Sequence, residues 1–265
     1  MPALPPLERL LVVSPHLDDG VFACGQLLAA HPGSTVLTVF AGAPGDEALN
    51  TDWDARCGFS SSQQAMASRH EEDRDALSLL GARPVWLSFL DSQYEQTPSA
   101  DDIAGALLAA VDELRPGAVV MPMGLFHSDH TLVHEACLQV AGQRPQLLWL
   151  AYEDALYRRM PGLLQRRLLA LAEAEVCATP AFPQRSGALA DKQRAIQAYA
   201  SQLRAFGKGG YADVLAAERY WQITPPAQRT APSRRATSRA EALARERERL
   251  AATHRVKMKE PHRAV

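Results

Sequence analysis

Cysteine is scarce and scattered. Cys24, Cys57, Cys137 and Cys177 are the only four in 265 residues, and no two of them form a CxxC pair. That spacing argues against both a disulfide-stapled scaffold and a cysteine-based zinc site, and it suits reduced thiols in the cytoplasm. Long apolar runs are also missing: no stretch approaches the ~18 residues needed to cross a bilayer. The opening Met-Pro-Ala-Leu-Pro-Pro lacks the basic and apolar regions of a signal peptide. A cytoplasmic protein with no membrane span is therefore expected. Aromatic residues make up only 6%, but 47% of the chain is hydrophobic, which excludes a wholly disordered polymer and is ample for a packed core.

A large excess of either charge is absent as well, with a net charge of −2. The balance nevertheless conceals an asymmetry. From Pro225 onward there are 11 Lys/Arg and 4 Asp/Glu, a net of +7, which leaves the preceding residues at −9. An acidic body argues against a main domain that binds nucleic acid. The composition divides the chain into a domain over residues 1–224 and a basic tail over 225–265, rich in Pro, Ser, Thr, Ala and Arg. A charged helix is conceivable at 240–252, although a solvated tail fits this composition better.

Short apolar runs alternate with helical patterns over the first 150 residues. Strands are predicted at 10–14 (LLVVS), 35–41, 84–90, 118–123 and 146–152. Helices are predicted between them at 20–30, 63–80, 101–114 and 130–140. Later residues suggest helices at 158–175 and 186–206, a short edge strand near 175–179 and a last strand at 218–223. Strands apolar on both faces and separated by helices imply parallel βαβ units. The expected fold is α/β: a Rossmann-like three-layer α/β/α sandwich with a mostly parallel sheet, whose functional loops lie at the carboxyl ends of the strands.

Two polar clusters fall at those strand ends. Pro15-His16-Leu17-Asp18-Asp19 follows the first strand, and His127-Ser128-Asp129-His130 follows the fourth. Imidazoles and carboxylates together form a ligand set for zinc and other divalent metals. Three protein ligands leave room for the water of a hydrolytic site. One of the adjacent carboxylates Asp18 and Asp19 can bind metal while the other acts as general base; alternatively, both merely cap the following helix. His130 and His134 have helical i, i+4 spacing, yet His134 lies one turn further on and reads equally as a packed histidine. Asp129 reads as a supporting or capping residue. His31, His70, His254 and His262 have no comparable context. No G-x-G-x-x-G follows the first strand, which argues against a dinucleotide-binding module.

The chain resembles the PIG-L/LmbE-like family of metal-dependent N-acetylglucosaminyl de-N-acetylases, which carry a PHxDD-type motif after strand one and HxDH after strand four. Gly20 and Ser128 stand where members of that family commonly have Glu and Pro; neither change removes a metal or catalytic group. Trp53-Asp54-Ala55-Arg56-Cys57-Gly58-Phe59 and the helix bearing Arg69 and Glu72 extend the likeness, which spans roughly residues 10–225. The resemblance implies that His16, Asp19 and His130 hold Zn²⁺ (or Fe²⁺ or another divalent metal) and that Asp18 is the general base. It further implies that His127 is an acid or electrostatic partner oriented by Asp129, and that Arg69 faces the substrate. Pairing of Arg69 with Glu72 or Asp73 is the plainer alternative. Asp91, at the end of strand three, is placed to accept hydrogen bonds from sugar hydroxyls.

The implied partner is a small N-acetylated amino sugar or its conjugate, deacetylated by hydrolysis. The same metal chemistry also suits an amidase cleaving a larger acyl group. Readings from other classes are a non-catalytic Rossmann-like module, or an interaction protein that uses its basic tail on an anionic partner.

Overall fold

The structure, a computed structural model, describes residues 7–184, 186–207 and 209–226. The chain divides into two units, Met1–Pro226 and Ala227–Val265. The basic tail and the conceivable helix at 240–252 lie outside the described residues, apart from 225–226.

In chain order the first unit runs β1 (Leu10–Ser14), α1 (Asp19–Ala30), β2 (Thr35–Thr38), α2 (Asp52–Arg56), α3 (Ser62–Leu79), β3 (Arg83–Trp86), α4 (Ala100–Leu114) and β4 (Ala118–Pro122). It continues with α5 (Ser128–Gln143), β5 (Leu148–Tyr152), α6 (Leu163–Glu173), β6 (Cys177–Ala181), α7 (Leu189–Ala198), α8 (Ala200–Phe206) and β7 (Tyr220–Thr224). The sheet order is β3-β2-β1-β4-β5-β7-β6. Strands β1 to β5 pair in parallel, whereas β7 runs antiparallel to both β5 and β6.

The period of two along each strand sends alternate side chains to opposite layers. Leu10, Val12, Val36, Val120 and Leu150 pack against α1, α3 and α7 through Phe22, Leu28, Leu77 and Ile196. Their neighbours Leu11, Val13, Leu37, Val119 and Trp149 pack against α4, α5 and α6 through Leu107, Val133, Cys137 and Leu171. Both faces are covered, which is why these strands read as continuous apolar runs. The result is the three-layer α/β/α sandwich expected from the sequence.

Several boundaries differ from expectation. The segment expected as one helix over 158–175 begins only at Leu163, because Arg158 turns inward to Asp213 (Nε to Oδ2, 2.9 Å) and Pro161-Gly162 follow. The helix expected over 186–206 breaks at Tyr199, whose hydroxyl donates to Asp73 Oδ1 at 2.8 Å. The strands predicted at 35–41 and 84–90 stop at Thr38 and Trp86, and beyond them a single bridge joins Phe40 to Ser88. The long segment after β2 contains α2, capped by the Thr51 hydroxyl accepting from the Asp54 N–H.

Helix α1 is kinked at Cys24 (φ −129°, ψ 15°). The carboxylate of Glu218 accepts from the backbone N–H groups of Gln26 and Leu27 at 2.8 and 3.1 Å. It also pairs with the fully buried Lys192 at 2.8 Å. An acid just before β7 therefore satisfies donors that the kink exposes.

β1 and β4 are neighbours in space, while the order 3-2-1-4-5 reverses direction between them. Such a switch point opens a crevice beyond the carboxyl ends of the strands, and both polar motifs leave the sheet there.

Candidate active site

After β1 the chain turns tightly: the Asp18 N–H bonds to the His16 carbonyl at 3.0 Å, and the Ser14 hydroxyl bonds to the same carbonyl at 2.6 Å. This turn sends Asp18 and Asp19 in different directions. Asp18 occupies the N-cap position of α1, yet its side chain makes no capping bond. The helix-cap reading of Asp18 therefore does not hold. After β4, Gly124 has φ +76°, and a Cβ there would lie 2.7 Å from the His134 Cβ. Only glycine allows the chain to pass so close to α5 before it reaches His127.

The two segments converge. Asp19 Oδ2 lies 3.1 Å from His16 Nδ1 and 3.1 Å from His130 Nε2. The three donor atoms lie within 4.8 Å of one another. The second nitrogen of each imidazole is held by a further carboxylate, His16 Nε2 by Asp129 Oδ2 at 2.9 Å and His130 Nδ1 by Asp154 Oδ1 at 2.7 Å. Carboxylates behind metal-facing imidazoles fix ring orientation and tautomer. A four-coordinate ion with bonds of about 2.1 Å keeps its ligand atoms about 3.4 Å apart, close to the observed separations. The donor set fits a divalent metal.

Electrostatics follow from this packing. Burial, the largest single influence, opposes charge on His16 and His130. The carboxylates outweigh it, holding His16 well above the ordinary imidazole range and His130 at about 9. Burial also opposes the charge on Asp19, but the two imidazoles keep its carboxyl well below the usual range. Asp18 behaves oppositely: burial, then the adjacent Asp19 charge, push its pKa up to about 7. The pKa values of two neighbouring carboxyls are thereby driven apart.

His127 is the N-cap of α5, and its Nδ1 accepts the Asp129 N–H at 3.2 Å. When neutral, the ring therefore carries its proton on Nε2. Burial, followed by the nearby His16 and His130, holds its pKa below the ordinary value. The Asp129 carboxylate stands 3.8 Å from His127 Nδ1, but it is closer to His16 and also accepts from the Ser92 N–H and hydroxyl, both at 3.2 Å. The structure thus attaches Asp129 to His127 through its backbone and to His16 through its side chain.

His134 is fully buried, donates Nδ1–H to the Pro122 carbonyl at 2.9 Å and stands outside the cluster. His31 and His70 are outside it too, each bonding a backbone carbonyl. His254 and His262 lie beyond the described residues.

A cavity of about 370 Å³ opens over the cluster, with His16, Asp18, Asp19, His127 and His130 in its wall. Arg69 and Asp91 line it as well. Arg69 is 5% exposed and pairs with Asp54 (Nη2 to Oδ1, 2.6 Å) rather than with Glu72 or Asp73, which hold Ser201 and the Trp86/Tyr199 pair. Its buried Nε has no partner. Asp91 caps the short turn at Ser92–Tyr94, accepting from the Gln93 N–H and side-chain amide, and burial raises its pKa. Trp53 of α2, Gln202 and Phe206 of α8 also line the cavity: Trp53 packs edge-on against Phe206 at 5.4 Å and donates to Gln202 at 3.3 Å. Sequence reasoning missed Asp154 and gave Asp54 no role beyond its place in the 53–59 likeness. Asp154 carried a usable signal, since it lies just beyond the fifth predicted strand as Asp91 does beyond the third.

A His/Asp/His cluster at the switch point of a Rossmann-like sheet, with the Asp18 carboxyl beside it, fits a metal-dependent hydrolase. Comparison narrows the class. Residues 11–141 match the family model PIG-L, described as GlcNAc-PI de-N-acetylase. The chain is 31% identical over 216 residues to 2'-N-acetylparomamine deacetylase of Streptomyces fradiae, covering 73% of each protein. The fold is shared with the A40926 pseudoaglycone deacetylase (TM-score 0.65, 23% identity, 84% of this chain and 99% of that one). It is also shared with the zinc-inhibited form of teicoplanin deacetylase (TM-score 0.62, 21% identity, 82% and 98%). The chain belongs to the PIG-L family and is an N-deacetylase, a hydrolase; its His/Asp/His donor set fits a divalent metal. Among the described residues, no helix is long and apolar enough to cross a membrane.

Proposed function

We propose that this protein removes the N-acetyl group from an N-acetylated amino sugar or its conjugate, with His16, Asp19 and His130 holding zinc and Asp18 acting as general base. The observation that carries the reading is the contrast around Asp19 Oδ2. Two braced imidazoles meet that oxygen at 3.1 Å each, while the neighbouring Asp18 carboxyl is left uncommitted in the same cavity. A bound divalent cation supplies Lewis acidity toward water and the acetyl carbonyl.

The residues of the chain supply the rest. Asp18, whose carboxyl stands in the cavity wall beside Asp19, takes a proton from the attacking water as the new C–O bond forms. His127 offers Nε2–H to the carbonyl oxygen as negative charge grows on it. Asp18 returns its proton to the nitrogen as the C–N bond breaks, giving acetate and a free amine. Arg69, positioned by Asp54, and Asp91 orient the sugar. The domain at 1–224 carries all of this chemistry. Four free thiols, three of them buried, suit a cytoplasmic setting.

The decisive experiment is a screen of N-acetylated sugars, nucleotide sugars and glycoconjugates with metal-loaded enzyme, scoring acetate against larger acids. Release of acetate is expected. Release of only longer acids would assign an amidase instead, and no release would overturn the reading.

A further inference from the structure

Among the described residues, six other than glycine have a positive φ, and four of these are the charged residues Arg9, Glu95, Arg115 and Glu175. The other two are large and apolar: Phe126 (φ 64°) and Leu156 (φ 70°). They follow β4 and β5, adjacent strands that open on the same rim. Left-handed backbone at a bulky side chain is strained and gathers at functional sites. At Phe126 the cause is local. The His127 N–H bonds to the Leu125 carbonyl at 2.8 Å, closing a three-residue γ-turn centred on Phe126 in its rare positive-φ form. The ring is left 61% exposed beside His127.

Its neighbour shows which way the exposed ring faces. Phe126 and Tyr157 lie 5.4 Å apart between ring centroids, tilted by 35°. Tyr157 lines the cavity and meets the His130 ring edge-on at 5.3 Å. Leu156 lines the same cavity, its unusual backbone held by an N–H bond to Asp213 Oδ2 at 2.8 Å. Three residues further along from Tyr157, Met160 is 39% exposed. The apolar rim and the polar site therefore share Tyr157.

We propose that Phe126, Tyr157 and Leu156 form a subsite for an apolar aglycone, an aryl or alkyl group linked to the amino sugar whose acetamide meets His16, Asp19 and His130. This inference rests on the deacetylase reading and extends it from the reacting group to the far end of the substrate. Continuity identifies the occupant: a group against Phe126 sits one residue from His127 and shares Tyr157 with the cavity, so it belongs to the molecule bound there. Chemistry identifies its class. Apart from the Tyr157 hydroxyl, these three side chains offer no hydrogen-bonding group, whereas a second sugar would need donors and acceptors along the rim.

The test measures binding by calorimetry on full-length, metal-loaded protein, with N-acetylglucosamine, its phenyl glycoside and N,N'-diacetylchitobiose as probes. Acetate release is followed in parallel. The phenyl glycoside should bind about tenfold tighter than the parent sugar, the scale of one well-packed aromatic contact. That ratio should fall to about one in Phe126→Gly, which removes the ring and relaxes the backbone, and return in Phe126→Tyr. Equal affinities in the wild type, or a ratio unchanged in Phe126→Gly, would overturn the subsite. So would a disaccharide that gains as much as the phenyl glycoside and loses it in the same variant, which would assign the rim to a second sugar. Tighter phenyl binding without acetate release from any probe would sustain the subsite and overturn the deacetylase reading.

Discussion

Asp154 ties two loops together: Oδ1 lies 2.7 Å from His130 Nδ1, and Oδ2 accepts the Leu125 N–H at 2.9 Å. The end of β5 thereby sets the angle of an imidazole on α5 and fixes the start of the turn that leads to His127. Asp154→Asn leaves a comparable volume but not the charge behind the ring. Metal affinity should fall about 10- to 100-fold, read by titration against a chelator, while turnover at saturating metal falls less. Unchanged affinity would remove Asp154 from this role.

Asp18→Ala and His16→Ala should separate chemistry from ligation. The Asp18 variant should retain metal and lose about 10²- to 10⁴-fold in kcat, the usual range for a general base. The His16 variant should lose both metal and activity. Metal analysis alongside acetate release checks both, and wild-type turnover by the Asp18 variant would refute its assignment.

In metal-free protein the Asp18 carboxyl should titrate near pH 7, since burial and then Asp19 raise it. A cation in the site should move it lower. Because its folded pKa exceeds that of the unfolded chain, the contribution of Asp18 to stability is full below about pH 4 and is lost as pH rises through about 7. Asp18→Asn should therefore melt at a higher temperature than the metal-free wild type at pH 8. Each 1 kcal/mol gained is worth about 2–4 °C in a domain of this size. Carbon-detected titration and a melting series at pH 4 and pH 8 test the two halves; a carboxyl titrating near 4 would contradict both.

Arg69 and Asp54 form a buried pair at 2.6 Å, with the Tyr94 hydroxyl on the second Asp54 oxygen at 3.2 Å. Arg69→Ala strands a buried carboxylate and should destabilise the fold by about 3–5 kcal/mol. Arg69→Lys keeps the charge but not the planar fork. It should fold and show a raised KM; a loss of Tm with unchanged KM would mark Arg69 as structural only.

Deleting residues 227–265 should leave metal binding and acetate release intact. Loss of activity would show that the basic tail takes part in catalysis, against the division of the chain at residue 225.

The sequence exposed the sheet because β1, β2, β4 and β5 are apolar on both faces, and it exposed the site because PHLDD and HSDH sit where those strands end. Other features stayed hidden because they depend on distant partners. Nothing local marks Tyr199 as a helix break; the buried Asp73 that accepts its hydroxyl lies 126 positions away. Asp54 reads as one acid among several in a polar loop until Arg69 folds over it. Asp129, expected to orient His127, reaches that ring with its N–H at 3.2 Å and its carboxylate at 3.8 Å. The same Oδ2 also serves His16 and Ser92, a sharing that no local sequence signal marks.

The kink at Cys24 has a consequence for how the protein is made. Glu218, which completes the broken turn of α1, comes 192 positions after the first amide it receives. A growing chain thus presents His16, Asp19 and His130 while the helix that begins with Asp19 still lacks its distant brace. Full hydrogen bonding of α1 therefore waits for Glu218.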